Sequence, residues 1–547
     1  MSLLDVTIAD VLTKNSQRYP NSIAYIFEDI SYTWRELDEI TDIMAIKLIS
    51  NNIKKNIHVG IWSINSIEQI FTIFAVVKTG AIATLFNYSY KDLEIRSLLS
   101  HSHTEYLLYG ESTGSIDYQD IIEKNHNKLP KLKSYDNLSR LFKEAKNEYD
   151  CKKPQTKESL NKLIKAKEAI KSEDSAFILF TSGTTHMAKG VLLSHYNLLN
   201  DAMIISERMK FTKKDSMLIS MPIFHCSGLT CGILIGLMVG MPSVIMRKFN
   251  SETAMKFIEK YKISAFNVVP SMLFLLVRDP NFGKYDISSW KSGIVAGSGM
   301  TNEKYLELAS KLPQTYLQIG YGQTETSPLI TLADYDDDID IKSKTLGKAL
   351  PHIELRIWDE KNKSVCPPYV TGEIQCKGFC CMKGYYNSPD QNKTKFTEDG
   401  WLKTDDCGYC DENGYLYFVD RINNIIIRNG ENISPVEIEC VIKKYSEDIT
   451  EALIVGVEVD SAFQEEIVAF IKTENGKEID NGKLKSFVSK KLANYKVPKF
   501  VFHLEEIPLN SIGKIDYKLI KRKAKEVLDN YQEQNFTINL LAGEEER

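Results

Sequence analysis

Two hydrophobic periods alternate along the first hundred residues. In Val6–Lys14 and Trp34–Ser50 apolar side chains recur every three to four positions, the spacing of an amphipathic helix. His58–Trp62 and Ala81–Leu85 are short apolar runs between turn residues, as strands are. Such alternation predicts layered α/β structure, because each element must cover its apolar face with the next. From Ser112 to Glu173 the chain becomes polar and lysine-rich, and a solvated helix is expected over Glu158–Lys171, with Glu158 and Lys162 one turn apart. Strand and helix patterns resume at Ala176 and continue to about Val419, the extent of a large catalytic body.

After Arg421 the pattern is that of a compact α+β unit. Strand Ile425–Ile427 and a turn at Asn429-Gly430 lead to a helix opened by Ser434-Pro435-Val436-Glu437, which reads as a capping box with proline at the first helical position. Strands Ala452–Val457 and Ile467–Ile471, helix Lys483–Leu492 and strand Phe500–Leu504 complete it. The expected organisation is an N-terminal domain of layered α/β subdomains over residues 1–420, a hinge at 421–424, a small mobile α+β domain at 425–530 and a frayed tail at 531–547.

The 547 residues exceed what one core needs. A net charge of -5 offers no basic field for nucleic acid, which is not expected as a partner. Oligomeric state is not legible. Met217–Met246 contains no Asp, Glu, Lys or Arg, and Gly228, Gly232, Gly236 and Gly240 fall four residues apart as in membrane helix contacts. Pro222, His225, Ser227 and Pro242 interrupt the run, so a buried strand, loop, helix and strand are expected there. The ten cysteines have no regular spacing and Met1–Ile8 carries no leader pattern, which points to a reducing cytoplasm. The end of the chain matches no peroxisomal or lipidation signal. Cys407-Gly408-Tyr409-Cys410, with Cys380 and Cys381 upstream, raises a metal reading but lacks a regular second pair.

The chemistry starts after the strand-like Ala176–Phe180, at Thr181-Ser182-Gly183-Thr184-Thr185-His186-Met187-Ala188-Lys189-Gly190. Hydroxyls, backbone N–H groups of a glycine-containing turn and one lysine make an oxyanion cradle suited to phosphate. A Walker A loop needs glycine before its lysine and a hydroxyl after it, whereas Ala188 and Gly190 stand there. Further on, Tyr321-Gly322-Gln323-Thr324-Glu325 places an aromatic face, a hydroxyl and a carboxylate within five residues.

These segments resemble the adenylate-forming superfamily of acyl-CoA synthetases, peptide-synthetase adenylation domains and luciferases. The resemblance extends in order through Pro222-Ile223-Phe224-His225 with Gly228, Gly372-Glu373-Ile374, Trp401–Asp406, Asp420-Arg421, Gly430-Glu431-Asn432-Ile433 and Gly513-Lys514, covering the chain to about residue 520. It implies that ATP lies across Thr181, Ser182, Gly183, Thr184, Thr185 and Lys189, that Tyr321 and Gly322 meet adenine, that Thr324 contacts the α-phosphate and that Glu325 holds Mg²⁺. Gly297 and Ser298 match the loop at the adenine edge and acyl pocket. Asp406 matches the ribose aspartate, Arg421 the arginine at ribose and phosphate, Lys514 the catalytic lysine, and Gly430 the loop that meets the thiol. His225 matches a position lining the acyl pocket; on its residue type alone it reads as a satisfied core histidine. Amino-acid activators carry a Phe-Asp motif where this chain has Phe224-His225, which argues against an amino-acid substrate.

Three positions depart from the family pattern: His186 in the phosphate loop, Asp405 where glycine is usual, and Asn423 at the hinge. The expected reaction is ATP- and Mg²⁺-dependent activation of a carboxylic acid, with Ser327-Pro328-Leu329 and the apolar run behind His225 favouring a medium- or long-chain fatty acid, followed by transfer to CoA. Loading of a carrier-protein thiol, an aryl-CoA ligase, a luciferase-like oxygenase and a non-catalytic acyl-adenylate or lipid binder are the alternatives.

Overall fold

The computed structural model describes the chain apart from Met1, Ser115, residues 182–187, Ser298, Ile425, Asn429, Gly430, and residues 461–463, 493–495, 510–514, 530–536 and 539–547. The chain forms two compact units. One comprises Met1–Arg356, Gln375–Thr404 and Cys410–Tyr417; the other comprises Ile357–Ile374, Asp405–Tyr409 and the chain from Phe418 onward.

Caps decide where the first helices begin. Thr33 Oγ1 accepts from the Glu36 backbone N–H while the Glu36 carboxylate accepts from the Thr33 N–H at 2.8 Å, so the helix Trp34–Ser50 starts as its apolar period predicts. The same reciprocal pair, Thr7 with Asp10, starts the first helix at Ile8 and not at Val6, and it runs on to Arg18. Thr156 caps the solvated helix, which covers Lys157–Glu168, and the expected Glu158–Lys162 pair forms at 2.7 Å with both side chains exposed.

Two sheets organise the first unit. Seven strands run in the order Gly384–Tyr385, Lys189–Ser194, Ser175–Thr181, Ile82–Phe86, His58–Trp62, Tyr106–Tyr109, Ser134–Asn137. The last five are parallel, while the first two pair antiparallel at the edge. In the nine-stranded sheet, the strands at Tyr316–Tyr321, Ser292–Val295, Ala265–Phe266, Met217–Ile219, Ser243–Ile245 and Ile23–Phe27 are likewise parallel, with antiparallel strands at both edges. His58–Trp62 and Ile82–Phe86 are buried at every residue, so they read as continuous apolar runs.

The uncharged stretch Met217–Met246 folds as strand, loop, helical segment and strand, and no described helix is long and apolar enough to cross a membrane. Its glycine row serves close packing within the unit. A Cβ at Gly228 would sit 2.2 Å from the Pro222 carbonyl oxygen, and one at Gly236 would sit 2.7 Å from Ser243 Oγ.

In the second unit the strands Ile449–Asp460, Gln464–Thr473, Phe500–Leu504 and Thr537–Ile538 form one sheet, with the helices Pro435–Lys443 and Tyr517–Asp529 packing on the first of them. The capping box expected at Ser434 does not form. Ser434 Oγ donates to Asp420 Oδ2 at 3.3 Å, and Glu437 pairs with Lys496 at 2.7 Å. Asp420 is buried and takes over the cap through the Val436 backbone; burial raises its carboxyl, and the hydrogen bonds from Arg421, Asn424 and Ser434 oppose that rise. A competing long-range acceptor thus displaces the local one.

One buried titratable group ties the chain's start to the body of the first unit. His195 Nδ1 accepts from the Ile8 N–H at 3.3 Å, so that nitrogen carries no proton, and burial pulls the imidazole down to about 4. The unfolded chain holds this histidine near its ordinary value, so between those two values it binds more protons than the folded chain. Stability is therefore fully present above about pH 6.5 and is lost as pH falls toward 4. Urea unfolding at pH 7 and at about pH 4.5 is expected to show roughly 2–3 kcal/mol more acid-induced loss in the wild-type chain than in His195→Gln.

Candidate active site

The segment predicted to cradle phosphate is held at its two ends by an antiparallel hairpin. Thr181 pairs with Lys189 and Phe180 with Gly190, so strand register fixes both ends of the segment. Ser182, Gly183, Thr184, Thr185 and the departure His186 lie outside the described residues, as do Ser298, Gly430 and Lys514.

Glu325 belongs to a short 3₁₀ turn, Thr324–Thr326, directly after the strand Tyr316–Tyr321. Thr326 Oγ1 accepts from the Gln323 N–H at 3.0 Å, closing the turn, and Gln323 Nε2 donates to the Thr404 carbonyl at 3.1 Å. Gly322 is required by space: a Cβ there would lie 2.0 Å from the Pro328 carbonyl oxygen. Thr324 and Glu325 are buried, while Tyr321 is half-buried at the strand end.

A residue that no sequence motif marks joins these two parts. Tyr385 Oη donates to Glu325 Oε1 at 2.7 Å, and the Lys189 ammonium lies 4.8 Å from the centre of the same ring. Tyr385 reaches this position because Gly384–Tyr385 forms the edge strand against Leu192 and Val191, and because Asn392 bonds both its N–H and its carbonyl. The Met382 N–H donates to the Glu325 carbonyl at 2.9 Å, so backbone and side chain of Glu325 are held by the same segment. A cation, an aromatic face and a carboxylate therefore form one connected set, 60 residues separating Glu325 from Tyr385.

Beside this set Cys226 Sγ lies 3.6 Å from Thr324 Oγ1, and burial pushes the thiol up to about 11. Asp201 accepts from the Leu329 N–H at 3.3 Å, and burial raises its carboxyl well above the ordinary value. His225 is exposed just before the helical turn Cys226–Gly228, its ring 5.2 Å from that of Phe224. It is thus not a core histidine. A π-helical stretch, Leu229–Leu234, comes next and is fully buried. Gly297 lies beyond the strand Ser292–Val295 at φ +90°, with a Cβ position 3.3 Å from Val269 Cγ1.

The second unit brings Asp406 and Arg421 together. Asp406 is buried and Arg421 Nε approaches its Oδ1 at 3.3 Å, with most of the guanidinium exposed. Asp405 has φ +63°, which explains why glycine suits this position: a Cβ in the left-handed region is strained. The Cys407/Cys410 pair does not chelate. Three residues apart on the strand Leu402–Cys410, the two thiols project to opposite faces. Among the described residues the cysteines that meet are Cys376, Cys380 and Cys381.

Residues 12–386 match the family described as AMP-binding enzyme, and residues 437–514 match the AMP-binding enzyme C-terminal domain. The chain belongs to the AMP-binding enzyme family. YngI of Bacillus subtilis strain 168, named as an acyl-CoA synthetase, is 32% identical over 96% of this chain and 98% of that protein. Human medium-chain acyl-CoA ligase ACSF2, mitochondrial, is 28% identical over 96% of this chain and 88% of its own length. The o-succinylbenzoate CoA synthetase of Bacillus subtilis, solved with its acyl-adenylate intermediate, superposes with a TM-score of 0.80 at 26% identity, covering 98% of this chain and 100% of that one. This AMP-binding enzyme is accordingly an adenylate-forming acid–thiol ligase of the acyl-CoA synthetase kind.

Substitutions at Tyr385, Glu325 and Asp405 probe the geometry of this AMP-binding enzyme directly. Tyr385→Phe leaves Glu325 buried without its hydroxyl donor and is expected to destabilise the first unit by about 1–3 kcal/mol. A cycle with Glu325→Ala should return a coupling above roughly 0.5 kcal/mol in thermal unfolding, whereas additive effects would show that the bond contributes nothing. Asp405→Val puts a β-branched residue at φ +63° and should lower stability by about 1–2 kcal/mol, while Asp405→Gly should not lower it.

Proposed function

We propose that this enzyme activates a medium- or long-chain fatty acid to its acyl-adenylate with ATP and transfers the acyl group to CoA, releasing AMP and pyrophosphate. The observation that carries the reading is the Lys189–Tyr385–Glu325 connection, which sets a cation and a buried carboxylate around one ring. Triphosphate chemistry needs that combination: an ammonium to draw off negative charge and a hard oxygen ligand for the metal that shares it.

The Glu325 carboxylate and the Thr324 hydroxyl are oxygen donors buried in one turn, a donor set that fits Mg²⁺ and not a soft metal. When bound there, Mg²⁺ would neutralise phosphate charge. The chain's own groups do the rest. Thr181–Lys189 orients the phosphates, Tyr321 and Gly322 with Gly297 and Ser298 take the adenine, and Asp406 and Arg421 take the ribose. Lys514 steadies the substrate carboxylate as it attacks the α-phosphorus, relieving repulsion between two anions in the transition state. Rotation of the C-terminal domain about residues 421–424 then withdraws Lys514 and presents the Gly430 loop for thiol attack.

The acyl choice is supported by the apolar, fully buried run Leu229–Leu237 behind Phe224-His225 and by the ACSF2 relatives, which are named as medium-chain ligases. Phe224-His225 stands where amino-acid activators carry a Phe-Asp motif, so that position offers no carboxylate to a substrate ammonium. The o-succinylbenzoate enzymes keep an aryl-containing acid as the second reading. A cytoplasmic setting is part of the proposal and rests on cysteine usage.

ATP–pyrophosphate exchange across saturated fatty acids of graded length, aryl acids and amino acids tests the substrate class. Exchange is expected with the fatty acids and absent with amino acids; exchange with aryl acids alone would replace the fatty-acid reading. Lys514→Ala should lower exchange by about 10²–10³-fold, the size of loss typical when one group that stabilises transition-state charge is removed. Turnover with a phosphopantetheinylated carrier protein but not with CoA would overturn the choice of acceptor.

A further inference from the structure

Outside the groups assigned to adenylation, the densest cluster of metal-ligating atoms among the described residues is sulfur. Cys376 ends the buried part of the strand Gly372–Gly378, and Cys380 and Cys381 stand on the turn after it. Their three Sγ atoms lie within 4.8 Å of one another, and Cys376 Sγ is 3.9 Å from Cys381 Sγ. A metal with S ligands at about 2.3 Å in tetrahedral geometry sets its sulfurs roughly 3.8 Å apart. The observed separation is that of two ligands of one ion. Cys376 and Cys380 are fully buried, whereas Cys381 is partly open to solvent.

We infer that Cys376, Cys380 and Cys381 form a binding site for one thiophilic d¹⁰ cation, three-coordinate for Cu⁺ or completed by a solvent ligand for Zn²⁺. Charge balance favours occupancy. Three thiolates on Zn²⁺ leave one net negative charge, and the buried Lys395 ammonium, which acts electrostatically on Cys376, offsets it. Thiols that take up the ion release their protons to solvent on binding.

The site is positioned to act on the adenylation machinery without belonging to it. The Cys380 carbonyl accepts from Ser327 Oγ at 2.7 Å, and the Cys381 carbonyl accepts from Asn197 Nδ2 at 3.2 Å. The next residue, Met382, donates its N–H to the Glu325 carbonyl at 2.9 Å. An ion that clamps the cysteine turn therefore stiffens the segment that holds Glu325 and carries Tyr385.

The test uses the full chain, reduced and freed of metal. Co²⁺ as the probe is expected to give one equivalent of a thiolate-to-cobalt charge-transfer band, which Zn²⁺ or Cu⁺ displaces. Titrations of each of these two ions against a chromophoric chelator tell which binds more tightly. Cys381→Ser should weaken binding at least tenfold, while Cys151→Ser, an exposed cysteine far along the chain, should leave it unchanged. Where a variant does not fold, the wild-type chain supplies the answer: Zn²⁺ should slow alkylation of Cys381 at least tenfold and leave Cys151 unaffected. Absence of the band, a band that survives Cys381→Ser, or equal alkylation of Cys381 with and without metal would overturn the inference. A Cys376–Cys381 disulfide found in place of metal binding would also overturn it.

Discussion

A buried carboxylate must be held. Glu325 sits in a turn of three residues, sealed from solvent, and its side chain and backbone both depend on the segment Met382–Tyr385. Leaving such a carboxylate without donors costs more than any single apolar contact nearby returns. That requirement fixes the edge strand Gly384–Tyr385, and through it the Asn392 side chain that brackets Tyr385. The Lys189 ammonium completes the arrangement from the neighbouring strand, resting near the ring whose hydroxyl serves the carboxylate.

Around this point the fold is a scaffold of parallel strands buried on both faces. Parallel strands bring their carboxyl ends to one side of the sheet, which is where α/β proteins place ligand-binding turns. Here the hairpin Thr181–Lys189, the turn Thr324–Thr326 and the Gly297 bend all come directly after strands. Strand register, not loop chemistry, determines where Thr181 and Lys189 stand. The described part of the second unit contributes a different geometry, a buried Asp406 approached by a largely exposed guanidinium. An arginine so placed keeps its planar fork of donors open to a ligand.

Much of this was legible in the chain. Trp34–Ser50, His58–Trp62 and Phe500–Leu504 have the bounds their apolar periods predict. The misses have physical causes. The first helix begins at Ile8 because Thr7 and Asp10 cap each other, a two-residue signal that overrides where the apolar period starts. The helix at Pro435 lacks its expected capping box because Asp420, fifteen residues before Pro435, competes for the same donors. His225 is exposed, since the chain turns outward there before the π-helical stretch Leu229–Leu234 returns it to the interior. Tyr385 and Asn392 carry no local pattern that marks them; their roles exist only once strands far apart in the chain are paired.

The sequence by itself determined the class of chemistry and the order of elements. Hydroxyls around Gly183 and a lysine not preceded by glycine point to a phosphate cradle by residue type and spacing, while the carboxylate after Tyr321-Gly322 takes its role from the resemblance to the adenylate-forming superfamily. Tertiary structure decided which of these groups meet. A tyrosine sixty residues from Glu325 supplies its donor, and three cysteines scattered across a strand and a turn come within one ion's reach. Spacing along a chain constrains local geometry, whereas a contact between distant residues depends on register and burial, which no single segment encodes.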